Sequence, residues 1–268
     1  MHVLIVHAHP EPRSFNGALT GQAATTLGAL GHTVEVSDLY AMKFKAVADA
    51  DDYCEREDPG YLRIDREQTY AHEHAAVAAD VRAEQAKLAR AELVVLQYPM
   101  WWFSMPAILK GWVDRVLTRG FAYLPGRKYD TGMLRGKLAM VSVTTGTSAG
   151  TYAPDGIDGA LLDVLWPVHN GVLRYSGFDV LTPFATHMPA KLNAAERAEA
   201  LARYDAHLRA IDALPRLYFH PREDYGADER LLPDVTPRSG FQHRPWSSWR
   251  DPAAPGEATL AAGCRKAP

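Results

Sequence analysis

Short runs of consecutive apolar residues constrain the fold of this chain more than any other feature. Residues 3–6 read Val-Leu-Ile-Val and residues 93–96 read Leu-Val-Val-Leu, so apolar side chains lie on both faces of each extended segment. This pattern is typical of strands in a parallel sheet, which helices cover on both sides. Segments with helical composition separate the runs. The alternation therefore predicts an α/β protein built from strand–helix units.

The patterning of the whole chain predicts a doubly wound sheet of parallel strands. The predicted strands cover residues 1–8, 32–39, 92–98, 137–143 and 178–184, five in all. The predicted helices cover residues 15–30, 67–91, 107–117, 159–176 and 193–214, with a kink at Pro167 and an N-cap at Asn193. In such a sheet the binding crevice lies at the carboxyl ends of the strands. The loops after the first, third and fourth strands are therefore where we look for function.

Composition excludes several classes of protein. The 268 residues include 29 Lys and Arg against 32 Asp and Glu, a net charge of −3, and no dense basic block suggests a nucleic-acid surface. No apolar run approaches the ~20 residues of a membrane span, and the N-terminus lacks the features of a cleaved leader. The two cysteines, Cys54 and Cys264, are too few for a disulfide framework. These observations fit a cytoplasmic protein without a membrane span.

The chain is predicted to contain one domain and an extension. Residues 1–219 form the predicted catalytic domain, and residues 220–268 form the extension. Beyond Phe219 the sequence is rich in Pro, Arg and Asp and poor in apolar residues, and residues 252–268 have the composition of a flexible tail.

The loop after the first predicted strand is a candidate anion site. It contains His9, Arg13, Ser14 and Asn16 just before a predicted helix, but neither a G-x-G-x-x-G fingerprint nor a Walker loop. A helix N-terminus offers free N–H groups and the positive end of a dipole, and hydroxyl and amide side chains can complete a phosphate site. The alternative is that Ser14 is only an N-cap and His9 is solvated. No metal site is predicted, because His7 and His9 have no evident third ligand.

Two further loops favour a flat ligand. Residues 99–106 contain three adjacent aromatic residues, which are costly to leave in water. An aromatic cofactor or a second subunit would cover them, and with Trp112 of the next helix they favour a homodimer; an internal core cluster is the alternative. Residues 144–150 supply glycines and N–H groups that can approach the edge of a ring. The three loops together suit a phosphate-bearing flat ring better than a metal or a covalent nucleophile.

Three segments resemble one known family. Residues 97–123 (QYPMWWFSMPAILKGWVDRVLTRGFAY), 9–19 (HPEPRSFNGAL) and 143–181 are similar to the signature, cofactor-phosphate and isoalloxazine segments of the flavodoxin-like NAD(P)H:quinone oxidoreductases, the DT-diaphorase family. The resemblance covers about residues 1–219 in the family's order. It implies a flavodoxin-like fold and a homodimer with one FAD per subunit at the interface. Since shorter relatives use FMN, the length of this chain favours FAD.

The resemblance also implies roles for individual residues. Tyr152 matches the active-site tyrosine, Tyr123 matches a tyrosine that reaches the neighbouring subunit's substrate pocket, and Arg197 matches an adenine-side arginine. The residues implied to hold the FAD phosphates and ribityl chain are His9, Ser14, Phe15 and Asn16. Those beside the flavin are Pro99, Met100, Trp102 and Phe103, and those over its polar edge are Thr144, Thr145, Gly146 and Thr147. Trp102, Phe103 and Tyr123 would shape the substrate pocket.

The chain departs from the family at three positions. Asp158 stands where the family has an active-site histidine, Pro125 replaces a second pocket tyrosine, and Arg63 replaces a glutamine near the adenine. An ionised aspartate cannot donate a hydrogen bond to a reduced flavin. We therefore expect Asp158 either to turn towards solvent, leaving Tyr152 as the main donor, or to be held protonated by burial against the flavin.

The function implied by these residues is two-electron reduction of quinones by NADH or NADPH. A hydride would pass from the nicotinamide to flavin N5 and then, after the nucleotide leaves, to a quinone in the same pocket, with Tyr152 and Asp158 as the catalytic pair. The alternatives are an FMN- or FAD-dependent reductase of azo or nitro aromatics, and an ancillary regulatory subunit of a potassium-efflux system. Relatives with the ancillary role lack the residues after Phe219, which this chain has.

Overall fold

A parallel sheet organises the protein, whose computed structural model describes residues 1–238. The strands are β1 (His2–His7), β2 (Thr33–Asp38), β3 (Leu93–Pro99), β4 (Leu138–Thr145), β5 (Asp179–Val180) and β6 (Phe184–His187). Their order is β2-β1-β3-β4-β5, with β6 also paired to β4, and every pairing is parallel. The doubly wound parallel sheet predicted from the sequence is therefore confirmed.

Helices cover both faces of the sheet. They are α1 (Phe15–Ala29), α2 (Ile64–Glu73), α3 (Ala79–Arg90), α4 (Ala107–Val116), α5 (Leu161–Val164), α6 (Trp166–Val168) and α7 (Ala194–Arg209). Alternate residues of β1 enter different cores: Leu4 and Val6 pack with residues of α3 and α4, whereas Val3 and Ile5 pack with residues of α1 and α7. Burial on both faces explains why the strands need consecutive apolar residues.

The fifth predicted strand, residues 178–184, is two short strands in the structure. β5 pairs Asp179 with Leu138, and β6 pairs His187 with Thr145, so both lie beside β4. Pro183 lies between them and has no N–H to donate to a sheet ladder. The strand position therefore continues three residues beyond the predicted end, to His187.

The predicted helix over residues 67–91 is wrong as a single element. The chain forms α2 and α3 instead, and Ala75 between them adopts a left-handed conformation with φ 55°. Ala76 and Val77 are buried in a small apolar cluster, and Val77 bridges to Tyr53, which lies between β2 and α2. Burial of this apolar pair outweighs the helical propensity of the alanine-rich sequence.

The helix predicted over residues 159–176, with a kink at Pro167, is a series of short helices of different types in the structure. Pro167 lies in the first turn of α6, where its missing N–H leaves no hydrogen bond unmade. Residues His169–Arg174 then form a π-helix, a conformation often associated with functional sites. His169 is almost fully buried at its start.

Trp112 is a core residue of α4. It is 2% exposed, and its Nε1 donates a hydrogen bond of 2.9 Å to the buried carboxylate of Glu84. The expectation that Trp112 adds apolar area to a dimer surface is therefore wrong.

The chain after α7 returns to the edge of the sheet. The N–H of Leu217 donates to the carbonyl of Val180 at 2.7 Å, and Arg216 forms an antiparallel bridge with Leu181. The boundary at residue 219 stays a prediction, and the tail over residues 252–268 lies outside the described residues. No helix within residues 1–238 combines the length and hydropathy needed to cross a bilayer.

Candidate functional site

A cleft of about 480 Å³ lies at the carboxyl ends of the strands. The loops after β1, β3 and β4 contribute to it, as the doubly wound topology predicts, and so does the loop after β6. The predicted site residues that line it are His9, Ser14, Phe15, Asn16, Pro99, Met100, Thr144, Thr145, Gly146 and Arg197. The cleft therefore brings together most of the residues that the sequence assigned to one ligand.

The N-terminus of α1 forms one wall of the cleft. Ser14 is the predicted N-cap: its hydroxyl accepts a hydrogen bond of 3.1 Å from the N–H of Gly17. A Cβ at Gly17 would lie 2.2 Å from the carbonyl oxygen of Pro12, so only glycine lets the preceding loop pack this closely on the helix. The first N–H groups of a helix have no partner within it, and they lie at its positive end. Ser14 therefore both caps the helix and lines an anion-attracting wall.

The charged side chains around the cleft are cationic. Arg13, Lys191 and Arg197 line it, and none of the described residues that line it is Asp or Glu, although the whole chain carries a net charge of −3. Arg13 pairs with Glu11 at 3.1 Å, but both side chains are largely exposed and such pairs contribute little. The Nε of Arg197 donates to the carbonyl of Leu192, which leaves the rest of its guanidinium available. The local charge thus favours a phosphate-bearing ligand.

His9 and Asn16 line the cleft and are each held by hydrogen bonds. The N–H of Glu11 donates to Nδ1 of His9 at 3.0 Å, so the ring proton lies on Nε2 in the neutral imidazole. Asn16 is buried: its Nδ2 donates to Thr144 Oγ1 at 2.9 Å, and its Oδ1 accepts from Gln97 Nε2 at 2.9 Å. This network joins α1, β3 and β4 directly beneath the cleft. Asn16 therefore holds α1, β3 and β4 together, and its contact with a ligand stays a prediction.

The aromatic loop after β3 is a tight two-residue turn. Trp101 and Ser104 exchange two backbone hydrogen bonds of 3.0 Å, and the residues between them, Trp102 and Phe103, have φ values of 51° and 59°. Turns with two positive φ values usually contain Asn or Gly, and bulky residues rarely adopt them. Trp102 is 96% exposed and Phe103 53%. The alternative of an internal core cluster is therefore wrong: the turn presents these side chains outward.

Tyr152 and Asp158 lie on one folded loop beyond β4. The N–H of Asp158 donates to the carbonyl of Thr151 at 2.9 Å. A Cβ at Gly156 would lie 2.4 Å from the carbonyl oxygens of Gly150 and Thr151, so the fold-back requires glycine there. Tyr152 is half-buried, and its ring stacks on His187 with centroids 5.8 Å apart. The loop thus brings the backbone of Asp158 back to the residue that precedes Tyr152.

Six predicted site residues do not line the cleft of their own chain, and the predicted catalytic residues Tyr152 and Asp158 are among them. Trp102 and Phe103 project from the turn, and Tyr123 lines a separate groove of about 580 Å³. The ring of Tyr123 contacts Tyr175 with centroids 5.4 Å apart, and burial raises the pKa of the Tyr123 hydroxyl. Thr147 also lies outside the lining, but its carbonyl accepts a hydrogen bond of 2.9 Å from Thr145 Oγ1.

Sequence reasoning missed the loop after β6. Residues 188–191 line the cleft, and His187 contacts Thr145 at its rim. The same topological rule that located the other three loops would have found this one. It was missed because the predicted strand ended at Phe184 and placed its carboxyl end three residues too early.

Residues 1–208 match the family Flavodoxin_2, described by its flavodoxin-like fold. The chain belongs to this family. The chain is 44% identical over 211 residues to the human ribosyldihydronicotinamide dehydrogenase (quinone). The aligned region covers 78% of this chain and 91% of the relative. Over 219 residues the chain is 39% identical to NAD(P)H dehydrogenase (quinone) 1 of Cavia porcellus, covering 81% of this chain and 80% of the relative.

Solved structures extend the comparison. A candidate quinone reductase from Klebsiella pneumoniae superposes with a TM-score of 0.86 at 40% identity, covering 90% of this flavodoxin-like chain and 98% of the other. General stress protein 14 from Treponema denticola, solved in complex with FMN, gives a TM-score of 0.56 at 25% identity, covering 79% and 99%. The relatives are named as dehydrogenases and reductases, and this flavodoxin-like chain is an oxidoreductase.

Proposed function

We propose that the protein catalyses FAD-dependent two-electron reduction of quinones by NADH or NADPH. The observation that carries the proposal is the cleft at the carboxyl edge of the sheet, with cations on its walls and no carboxylate among the described residues that line it. An exposed aromatic turn lies directly beside it. Phosphate recognition and an aromatic platform in one place suit a flavin nucleotide. The names of the relatives are the reason to propose a nicotinamide nucleotide and a quinone as the two substrates.

The residues present fit this cofactor. The α1 N-terminus with His9, Ser14 and Phe15 would hold the phosphates, and Arg197 would lie on the adenine side. Pro99 and Met100 with the turn residues Trp102 and Phe103 would flank the ring system, and Thr144, Thr145, Gly146 and Thr147 would face its polar edge. A Cβ at Gly146 would meet no described atom within 4 Å, so the backbone there is open to close approach. The length of the chain favours FAD over FMN.

The chemistry divides between the cofactor and the chain. When bound, the flavin supplies N5, which accepts a hydride from the nicotinamide and passes it to a quinone. Tyr152 would donate a hydrogen bond to an oxygen that gains charge, and Asp158 is its neighbour on the same loop. Because one platform would take the nicotinamide and the quinone in turn, the kinetics would be ping-pong.

The aromatic turn is the reason to propose a homodimer. Trp102 and Phe103 expose apolar area at strained backbone positions, an arrangement that a folded chain has no reason to keep unless something covers it. Tyr123 lies in a groove of its own, separate from the cleft. A second copy that brings its Tyr123 to the first copy's turn would complete a substrate pocket from two chains. A cytoplasmic location remains part of the same proposal.

The cofactor and the reaction can be tested together on the purified protein. Chromatography of flavin released on denaturation should give FAD, and NADH or NADPH oxidation should require a soluble quinone, with parallel double-reciprocal lines. Recovery of FMN alone would contradict the cofactor assignment. Faster turnover with an azo or nitro aromatic than with any quinone would favour the alternative reductase, and absence of flavin after reconstitution would overturn the proposal.

A pair of charge reversals on α7 tests whether Arg197, placed on the adenine side, lies near the charged phosphates of the cofactor. At ~6 Å in water a unit charge pair is worth about 0.7 kcal/mol, so reversing Arg197 to Glu changes binding by about 1.4 kcal/mol, or tenfold. Arg203→Glu is the matched control, because Arg203 lies on the same helix outside the cleft and pairs with Glu199. Equal flavin affinities for the two variants would contradict the placement of Arg197 at the cofactor.

A further inference from the structure

We propose that His187 is a positioning residue that holds Tyr152 and residues 145–147 in place at the rim of the cleft. The inference rests on the proposed function above, since that function gives Tyr152 and this loop their roles. His187 is the last residue of β6 and pairs in register with Thr145, the last residue of β4. Its side chain therefore meets the end of the strand that carries the predicted polar-edge loop.

A chain of hydrogen bonds connects His187 to the loop. Thr145 Oγ1 lies 2.8 Å from Nδ1 of His187 and 2.9 Å from the carbonyl oxygen of Thr147. The single hydroxyl proton must go to the carbonyl, which can only accept, so Nδ1 carries a proton and donates to the hydroxyl. This fixes one tautomer of the neutral imidazole and ties Thr147 to β6 through two hydrogen bonds.

The ring of His187 supports Tyr152 by stacking. The centroids are 5.8 Å apart and the ring planes differ by 29°, an offset arrangement that aromatic pairs favour. Tyr152 also packs against the hydrophobic core that contains Leu4 and Val6. Burial lowers the pKa of His187, which keeps the imidazole neutral and its tautomer defined.

The backbone beside His187 reaches the cleft itself. The N–H of Met188 donates to the carbonyl of Thr145 at 2.8 Å, and Met188 adopts the left-handed conformation with φ 48°. Residues 188–191 then line the cleft together with Thr145 and Gly146. One imidazole thus lies where three parts of the site meet: the polar-edge loop, the loop after β6, and Tyr152.

Two variants separate the two contacts. His187→Asn keeps a donor close to the position of Nδ1 but loses the ring, whereas His187→Phe keeps a ring against Tyr152 but loses the donor. His207→Phe is the matched control, because His207 is also a half-buried histidine, contacts the ring of Phe184, and lies at the far end of α7.

The expected results differ between the variants. His187→Phe should raise the dissociation constant of FAD about tenfold, the effect of one lost hydrogen bond, and leave kcat at saturating FAD within threefold. His187→Asn should lower kcat about tenfold with FAD affinity and the KM for the nicotinamide within threefold. The proposal would be overturned if both His187 variants had the FAD affinity and kcat of His207→Phe. It would also be overturned if both variants lost the same amount of stability and this loss alone explained the changes in FAD affinity and kcat.

A measurement without cofactor keeps this inference separate from the proposed function. In ligand-free protein, hydrogen–deuterium exchange over residues 145–152 should be faster in both His187 variants than in the wild type and in His207→Phe. If the wild type binds no flavin but the exchange rates differ as expected, the positioning role stands and the proposed function fails. If flavin binds and exchange is unchanged in both variants, the positioning role fails and the proposed function stands.

Discussion

The aromatic turn offers a perturbation whose two effects have opposite signs. We expect the double substitution Trp102→Asn, Phe103→Gly to stabilise the isolated chain and to weaken its function. The new pair suits a turn with two positive φ values, whereas the natural pair holds φ values of 51° and 59° against steric preference. The backbone would keep its path while the apolar side chains are removed.

The magnitudes follow from backbone strain and exposure. An L residue in the left-handed region costs roughly 1–2 kcal/mol; Phe103→Gly removes this cost and Trp102→Asn reduces it, so the two changes together are worth about 2–3 kcal/mol. The added glycine lowers the free energy of unfolding by about 0.5–1 kcal/mol, because it increases the conformational entropy of the unfolded chain. Trp102 is 96% exposed and loses little buried area, whereas Phe103 is 53% exposed and loses its buried half, which costs about 1 kcal/mol. The free energy of unfolding should therefore rise by up to about 1.5 kcal/mol, which corresponds to roughly 2–4 °C in Tm per kcal/mol for a domain of this size.

The functional loss should exceed this gain. If a cofactor or a second copy covers about 200 Å² of apolar surface on the turn, the contact is worth about 5 kcal/mol at ~25 cal/mol per Å². The variant should therefore lose dimerisation, flavin affinity, or both, even though its chain is more stable. Enzymes commonly hold strained residues where they are needed for function.

Thermal unfolding of ligand-free protein over a wide concentration range is the assay. A dimeric wild type has a concentration-dependent Tm, so the comparison belongs at the lowest concentration. Lys43→Asn is the control, because Lys43 has φ 50° on the exposed surface away from the cleft and should gain stability without loss of activity. A double variant less stable than the wild type at every concentration would refute the reasoning, because the side chains would then be packing within their own chain.

Three further predictions concern Asn16, the pair Tyr152 and Asp158, and the buried His169. Asn16→Ala removes the hydrogen-bond partner of the buried Gln97 amide and of the Thr144 hydroxyl. The free energy of unfolding measured in urea should therefore fall by about 2–4 kcal/mol. Thr147→Ala, at an exposed position, is the control and should stay within ~0.5 kcal/mol of the wild type. Tyr152→Phe should slow flavin reduction by NAD(P)H, measured by stopped flow, at least ~tenfold, whereas Asp158→Ala should change this rate less than ~threefold. If neither substitution changes the rate, the two residues are not the catalytic pair. Burial lowers the pKa of His169 to about 4, so the unfolded chain takes up this proton first as the pH falls below 6.5. The free energy of unfolding should therefore fall by about 3 kcal/mol between pH 6.5 and pH 4. In His169→Gln, urea unfolding at a series of pH values should show a smaller fall over this range. Identical pH dependence in the variant and the wild type would contradict this role of His169.

The sheet could be predicted because strands that are buried on both faces require consecutive apolar residues, which are visible in the sequence. Residues 3–6 and 93–96 admit no polar residue, and the structure buries all of them. The division between α2 and α3 could not be predicted, because it depends on Val77 meeting Tyr53 of a distant segment. An alanine-rich stretch carries helical propensity throughout, and only tertiary contacts decide where it breaks.

The candidate site was predictable where it depends on topology and less so where it depends on exact strand ends. Ser14 and Asn193 were recognisable as N-caps because their residue types favour that position and their loops precede helices. His187 and residues 188–191 were missed because a strand end misplaced by three residues hides the loop that follows. The burial of Asn16 depends on Gln97 and Thr144, which are distant in sequence and could not be paired by pattern.

The segment that returns after α7 has a consequence for the solubility of shortened chains. Residues 215–217 pair with the outer edge of β5, through Leu217 and Val180 and through Thr182 and Pro215. An uncovered edge strand is a template on which another chain can add a strand and aggregate. A chain cut at residue 208, where the family match ends, would expose that edge, and it should self-associate even if every residue of the cleft were intact. A chain cut after Phe219 would keep the edge covered.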